Sequence, residues 1–442
     1  MFGLGGHTVP QGQIRVGRRW FLQTSLAGLG GLSLSTLSHA GNSPAPTKSP
    51  KSVIVFWLSG GLSHIDSWDP KPNAPTEIRG PYSTIASKVP GIQLCEHLPL
   101  QASIADKLSF VRSVDCKTSN HTPITLQAGN PLARRTDNGR DGDGWPSMGS
   151  IVAKFKGPNH PDLPAFVGLA PAWKADVYEA GLLGPNYAPV NGLELVGKFG
   201  APKGIEIPRL QDRDALRQAF DRYRSDVDVS LKKTAEYNQQ AYDMVLGGHV
   251  ERAFDMRSET DATRDAYGRN SIGEKAILAR RLVEAGTSYV LVSGAWGYFD
   301  HHGDNVQWGG IQKGLTPLLP QIDRAMYALV NDLEQRGKLD DTLIVMMSEF
   351  GRSPVINKEA GREHWTNVMS ILMAGGGLRH GQTIGSTDSK GYEVKDAVVR
   401  PQDLAATVFR HLDIDLSTHW MSPQGRPTPI IVEGGRPIPE LG

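Results

Sequence analysis

The 442-residue sequence predicts an α/β fold: a mostly parallel central sheet covered by helices on both faces, with one loop-rich and helical insertion. Three observations predict it. Almost unbroken apolar runs recur at Ser52–Leu58, Leu108–Val114, Ser288–Val292, Thr342–Met347 and Met369–Ala374, the pattern of strands buried on both faces. Helical periodicity lies between the later runs, so strands and helices alternate as βαβ units do. Gly and Pro number 50 and 30, well above the roughly 12% they make up in an average chain, which fits a loop-rich α/β chain better than a helical bundle.

The N-terminus reads as an address. Arg18 and Arg19 precede Trp20, Phe21 and Leu22, an apolar uncharged stretch runs to Leu37, and Ser38-His39-Ala40 forms a small-x-small cleavage site. This is the pattern of a twin-arginine export signal, departing from it at Gly17 and Gln23. The stretch is too broken by Thr24, Ser25, Gly28, Gly30, Gly31, Ser33, Ser35 and Thr36 to span a bilayer, which takes about 20 strongly apolar residues. Residues 1–40 are therefore expected to be removed, with the twin-arginine translocase as export partner and a periplasmic or secreted product without a stable membrane span. Residues 41–50, GNSPAPTKSP, read as a linker.

The first strand ends in Gly60-Gly61. Residues from about 158 to 263 depart from the βαβ rhythm: prolines at 161, 164, 171, 185 and 189 give way to a polar helical pattern between Asp212 and Phe254. We read this as an insertion or cap on one domain spanning 51–430, with 431–442 as a C-terminal tail. Ser271–Ala285 reads as a helix stopped by Gly286. Leu319, Ile322, Met326, Leu329 and Leu333 fall on one helix face, and Asp403–Leu412 follows Pro401 as another helix.

Charge and cysteine content exclude several classes. Lys+Arg and Asp+Glu total 47 and 46, a formal +1; removing the first forty residues, with three arginines and no acid, leaves about −2. Neither value suits a nucleic-acid binder driven by bulk charge. Two cysteines, Cys95 and Cys116, exclude a disulfide scaffold and a cysteine-based zinc site, although an oxidising compartment permits a bond between them.

Open α/β sheets bind ligands beyond the carboxyl ends of their strands, so chemistry is sought after each apolar run. His64, Asp66 and Asp69 follow the first and offer metal or proton-transfer groups, or an ordinary solvated turn. Ser119, His121 and Thr122 follow the second. A hydroxyl at a helix N-terminus there serves as a nucleophile or merely as a cap. Asp300, His301, His302 and Asp304 follow the Ser288–Val292 run. Imidazoles between carboxylates are ligands for zinc, manganese or iron, and because adjacent histidines diverge, one of the pair is expected to ligate. Glu349 and Arg352 follow Thr342–Met347, as a site carboxylate with an anion-holding guanidinium, or as a surface pair. His364 leads into Met369–Ala374 as a remote ligand or a core histidine.

GGLSHIDSWDPKPNAPTEIRGP (60–81), CEHLPLQASIADKLSFVRSV (95–114), AGLLGPNYAP (180–189), FDHHGDN (299–305), DDTLIVMMSEFGRSP (340–354), GREHWTNVMSILMAGGG (361–377) and RPQDLAATV (400–408) together resemble an exported bacterial family of unknown function, family 1501, placed in the alkaline phosphatase and sulfatase superfamily. The resemblance runs from about Val53 to Leu412. It implies an alkaline phosphatase-like fold and a divalent-metal hydrolase of sulfate or phosphate esters, a glycan among the candidate substrates, with the metal zinc, manganese, calcium or iron. It makes Asp300, with His301 or His302, and His364 the ligands of one metal. Ser119 or an activated water is then the attacking group, Arg352 steadies the anion, and His121 and Thr122 are alternative contributors. Ser348-Glu349-Phe350-Gly351 stands where the superfamily has Ser-Asp-His-Gly, so a second metal would lose a ligand. Ser59-Gly60-Gly61 stands where an aspartate is expected, leaving Asp66 or His64 to reach in. The Cys/Ser-x-Pro-x-Arg signature is absent. These departures support an alternative: an exported, non-catalytic binding or envelope protein keeping the fold and one structural metal.

Overall fold

The structure, a computed structural model, describes residues 49–133, 141–196, 248–432 and 434–442. The expected signal peptide, most of the linker and residues 197–247 of the expected insertion lie outside the described residues. No helix among those described is long and apolar enough to cross a membrane.

Eight strands form the main sheet: β1 (Ser52–Trp57), β2 (Leu108–Val114), β3 (Phe166–Leu169), β4 (Val190–Asn191), β5 (Tyr289–Ser293), β6 (Thr342–Met347), β7 (Met369–Gly375) and β8 (Gln382–Ile384). Their spatial order is β8-β2-β7-β6-β1-β5-β3-β4. Seven run parallel to one another; β7 alone runs antiparallel to both neighbours, β2 and β6. β1 is central, in register with β5 (Val53 opposite Tyr289) and with β6 (Ser52 opposite Thr342).

Alternate residues of each strand face opposite layers. Ile54 and Phe56 of β1 pack under α2 (Ser271–Ala285) and α3 (Leu319–Gln335). Val53, Val55 and Trp57 pack against α1 (Met148–Phe155) and α4 (Pro401–His411). Helices thus cover both faces, as the sequence predicts. Asn270 caps α2, its side chain accepting from the backbone N–H groups of Ile272 and Gly273, and Gly286 follows its last residue. The five apolar positions read from the spacing in α3 are all buried. α4 opens at Pro401, two residues earlier than the sequence suggests, with the Asp403 carboxylate accepting from the Arg400 N–H at 2.9 Å; proline suits a first-turn position.

Two strands lie inside the segment read as an insertion: β3 and β4 extend the sheet beyond β5. Residues 434–442 are likewise part of the core and not a free tail, since Ile438 and Leu441 are buried and the Ile438 N–H donates to Thr407 at 2.9 Å. Cys95 and Cys116 are both free and buried, in core clusters on opposite faces of the sheet; no disulfide joins them.

Candidate metal centre

Seven strands deliver their following loops to one edge of the sheet. β7 runs the other way, so its first residue, Met369, sits at that same edge and the segment leading into it enters the site. A two-residue hairpin completes the delivery: Gly351–Arg352 pairs with His364–Trp365, with His364 opposite Arg352. The turn after β1 closes on the loop after β5. Gly60 has φ +108°, and a Cβ there would lie 2.4 Å from the Asp300 nitrogen, so the approach needs glycine.

His121, Asp300 and His364 each offer a ligand atom within 4.8 Å of the others. His302 joins them: its Nε2 lies 2.9 Å from His364 Nε2 and 3.0 Å from Asp300 Oδ1, while His364 Nε2 is 3.1 Å from the same oxygen. His121 Nε2 approaches the other Asp300 oxygen at 3.5 Å. Donors held about 2.0–2.2 Å from a zinc ion stand roughly 3.3 Å apart, close to the separations among Asp300, His302 and His364; His302 stands outside the group within 4.8 Å that His121, Asp300 and His364 form. Buried His121 Nε2 also has no hydrogen-bond partner, a costly state for a nitrogen that water cannot reach.

Carboxylates orient two of the imidazoles. His121 Nδ1 lies 2.8 Å from Glu349 Oε1, which also accepts the Gly60 N–H at 2.8 Å. His302 Nδ1 lies 2.8 Å from Glu363 Oε2, and Asn357 donates to the other Glu363 oxygen at 2.6 Å. With each Nδ1 committed, Nε2 is the nitrogen presented to the centre, the arrangement that metal-binding histidines use. Glu349, read in the sequence as a ligand, stands behind His121. Phe350, in the place of an expected histidine, lays its ring 4.4 Å from His364 and 5.6 Å from His121 and forms an apolar wall.

Burial alone would raise the Asp300 carboxyl, but His121, His364 and the Arg352 guanidinium hold it far below the usual carboxylate range. Burial alone would lower His121, yet Asp300 and Glu349 outweigh it and raise the imidazole to about 9. Burial lowers His364.

The structure leaves other sequence-derived candidates outside this cluster. Asp66 is locked to Arg362 by two contacts of 2.6 and 3.0 Å, both side chains being buried, and it also accepts from Ser63. Its charge is answered there and it does not reach the imidazoles. His64 is fully buried with Nε2 on the Gly391 carbonyl, and burial lowers it to about 4. His301 turns away from its neighbour, Nδ1 meeting the Trp308 carbonyl at 3.0 Å; burial lowers it also to about 4. Ser119 is buried with its hydroxyl 3.5 Å from the Asn120 carbonyl and makes no hydrogen bond to the cluster. Thr122 donates to the Asn120 side chain at 2.6 Å.

Arg352 is present but spent. Its nitrogens donate to the carbonyls of Gly60, Gly61, Phe299 and Arg362 and to Asp300, with His302 Nε2 at 3.4 Å. The anion-holding role expected of it is therefore unavailable in this arrangement; it anchors Asp300. Glu363 and Asn357 went unnoticed in the sequence. The only available signal was a carboxylate adjacent to His364.

Residues 50–441 match the model of a protein family of unknown function, DUF1501. The chain belongs to that family. No curated protein matches it. Among solved structures, the DUF1501 chain is similar to Ps i-CgsB in complex with k-i-k-neocarrahexaose (13% identity, 83% of this chain and 73% of that one, TM-score 0.39). It is similar also to the PsFucS1 sulfatase from Pseudoalteromonas sp. (11% identity, 90% and 72%, TM-score 0.39). A third is a TAB5 alkaline phosphatase mutant with Mg bound (10% identity, 83% and 99%, TM-score 0.36).

Proposed function

We propose that this DUF1501 protein is an exported, metal-dependent, sulfatase-like hydrolase of sulfate or phosphate esters. The observation that carries the reading is the convergence of His121, Asp300, His302 and His364, two of the imidazoles held by carboxylates, at the carboxyl edge of the parallel sheet. His121, Asp300 and His364 would hold one divalent cation, with His302, beside Asp300 and His364, as a further donor on one side. Three imidazoles and a carboxylate suit zinc, manganese or iron, whereas calcium takes oxygen ligands. Such an ion supplies Lewis-acid stabilisation of charge on the ester oxygens.

The chain's own groups do the rest. Glu349 and Glu363 fix the rings of His121 and His302, Arg352 holds Asp300 in place, and the Phe350 wall keeps water from one side. In the overall reaction an entering oxygen, from water or from Ser119, forms the new S–O or P–O bond. The bond to the alcohol oxygen breaks, the entering oxygen loses its proton to solvent, and the alcohol leaves with a proton. Attack by Ser119 would require its hydroxyl to turn from the Asn120 carbonyl, with water releasing the enzyme ester in a second step.

One observation favours the other reading, a non-catalytic binding or envelope protein with a structural metal: every Arg352 nitrogen is committed, so no cationic side chain of the cluster is free for an anion. The test is metal content by elemental mass spectrometry on the mature protein and on His302→Ala and His364→Ala, followed by aryl sulfate and aryl phosphate assays with zinc, manganese or iron supplied. Near-stoichiometric metal lost in both variants, with ester turnover, supports the hydrolase. Metal without turnover of either ester class favours the binding protein, and a folded protein that takes up no metal overturns both.

A further inference from the structure

Trp296 stands beside the cluster, one face of its ring toward His121 and the rest open to solvent. It is 37% exposed, the only Phe, Trp or Tyr in the exposed class among the described residues. Its ring centroid lies 5.6 Å from that of His121, with the planes tilted by 34°. Its indole N–H donates no hydrogen bond among the described residues; those of Trp68, Trp173 and Trp365 find acceptors, while those of Trp145 and Trp420 are shut away from solvent without one.

The side chain is not on a loose loop. Gly297, with φ +75°, packs so close to Trp308 that a Cβ would lie 2.5 Å from its indole nitrogen. The Gly297 N–H donates to the Ser59 hydroxyl at 3.3 Å, and the Gly297 carbonyl accepts from Asp300 at 2.9 Å. The turn that aims Trp296 is thus tied both to the segment after β1 and to the backbone N–H of Asp300, whose carboxylate belongs to the cluster. An indole carries a large apolar face and favours stacked or edge-on contact with rings. Held half in water next to a candidate cation centre, it is pre-positioned at little entropic cost.

We propose that Trp296 is a stacking platform for the alcohol portion of the substrate, and that this portion carries a ring, a sugar or an aryl group, attached to the sulfate or phosphate that faces the cation. The inference rests on the hydrolase reading of the same cluster and names its substrate class. A linear alkyl ester would place nothing flat against the indole. The free indole N–H adds one donor at the platform's edge, suited to a ring oxygen or hydroxyl of a sugar.

The test is equilibrium binding by calorimetry to the mature protein supplied with zinc, using phenyl, glucose-6 and ethyl esters, each as sulfate and as phosphate. Wild type, Trp296→Ala and Trp296→Phe are compared, with circular dichroism to show that each folds. At least one ring ester should bind roughly tenfold more tightly than the ethyl ester, the size of one ring-stacking contact. That preference should vanish in Trp296→Ala and persist in Trp296→Phe. Preference for the glucose ester identifies a saccharide, and preference for the phenyl ester an aryl alcohol. No ring preference in wild type, a preference that survives Trp296→Ala, or no binding of any ester overturns the inference. Ring-selective binding without turnover would overturn the hydrolase reading while leaving the platform standing.

Discussion

Replacing Asp66 by Asn separates a structural carboxylate from a metal ligand. Asp66 and Arg362 are 0% and 1% exposed at their side chains, and Arg362 is otherwise held by the carbonyls of Ile78, Ser353 and Pro354. Removing one partner of a buried pair leaves an uncompensated charge and costs about 3–5 kcal/mol. The entropy of unfolding is roughly 2 cal/mol/K per residue, so for a chain of 442 residues it comes to roughly 0.9 kcal/mol/K. The melting temperature should therefore fall by roughly 3–6 °C. Calorimetry would measure that fall, and elemental mass spectrometry on the same preparation would measure metal, which should be unchanged. Adding Arg362→Met removes the orphaned charge and should recover part of the loss. An unchanged melting temperature with metal lost would refute this reasoning and make Asp66 a ligand.

Glu363→Gln should weaken metal affinity by about 10–100-fold, because it loosens the His302 ring without removing a ligand; Glu363 is exposed, so the melting temperature of the metal-free protein should barely move. Competition with a chelator of known affinity measures the first, and equal affinity in both proteins would dissociate Glu363 from the site. His121 gives a pH dependence with a definite sign. Its imidazole is raised to about 9 in the fold against about 6.5 in an unfolded chain, so in the metal-free protein it contributes stability that is fully present below about 6.5 and is lost as pH rises through 9. The shift corresponds to roughly 3 kcal/mol, and His121→Gln should flatten the metal-free stability profile between those limits. Metal uptake has the opposite sign, because the cation must displace that proton, so affinity should climb with pH toward 9.

How much of this was legible in the sequence depended on whether the deciding contact was local. β2 and β6 were readable to the residue because both faces are buried and, Arg112 of β2 aside, every position is apolar or small. β3 and β4 were not, since strands of four and two residues, one with Gly168 in its interior, carry too short a pattern to stand out among prolines. The direction of β7 was equally hidden: a strand buried on both faces reads the same parallel or antiparallel. Yet that direction brings His364 to the site. The Gly60-Gly61 turn was recognisable as a close approach, but what approaches, Asp300, lies some 240 positions away. For the same reason Asp66 looked equivalent to a ligand until its partner Arg362, 296 positions distant, was in view. The choice between His301 and His302 rested on backbone path alone.

The charge of the cluster decides whether it can receive an anion at all. Counted by formal charge, it holds two carboxylates, half-buried Asp300 and buried Glu349, and one buried guanidinium, Arg352. Near neutral pH the proton on His121 brings the sum to zero. A divalent cation that displaces this proton brings it to one positive charge, and Glu363, being exposed, is largely screened by solvent. A unit charge about 4 Å from an anion is worth roughly 4 kcal/mol at an effective dielectric constant of 20, and desolvation of the anion takes back part of it. Inorganic sulfate should therefore bind at least about tenfold more weakly after chelation than with zinc supplied. His364→Ala should show the weak value under both conditions. Calorimetry with sulfate at constant ionic strength measures this. Equal affinity with and without the cation would mean that some other cationic group receives the anion, and the argument that Arg352 is fully committed would fail with it.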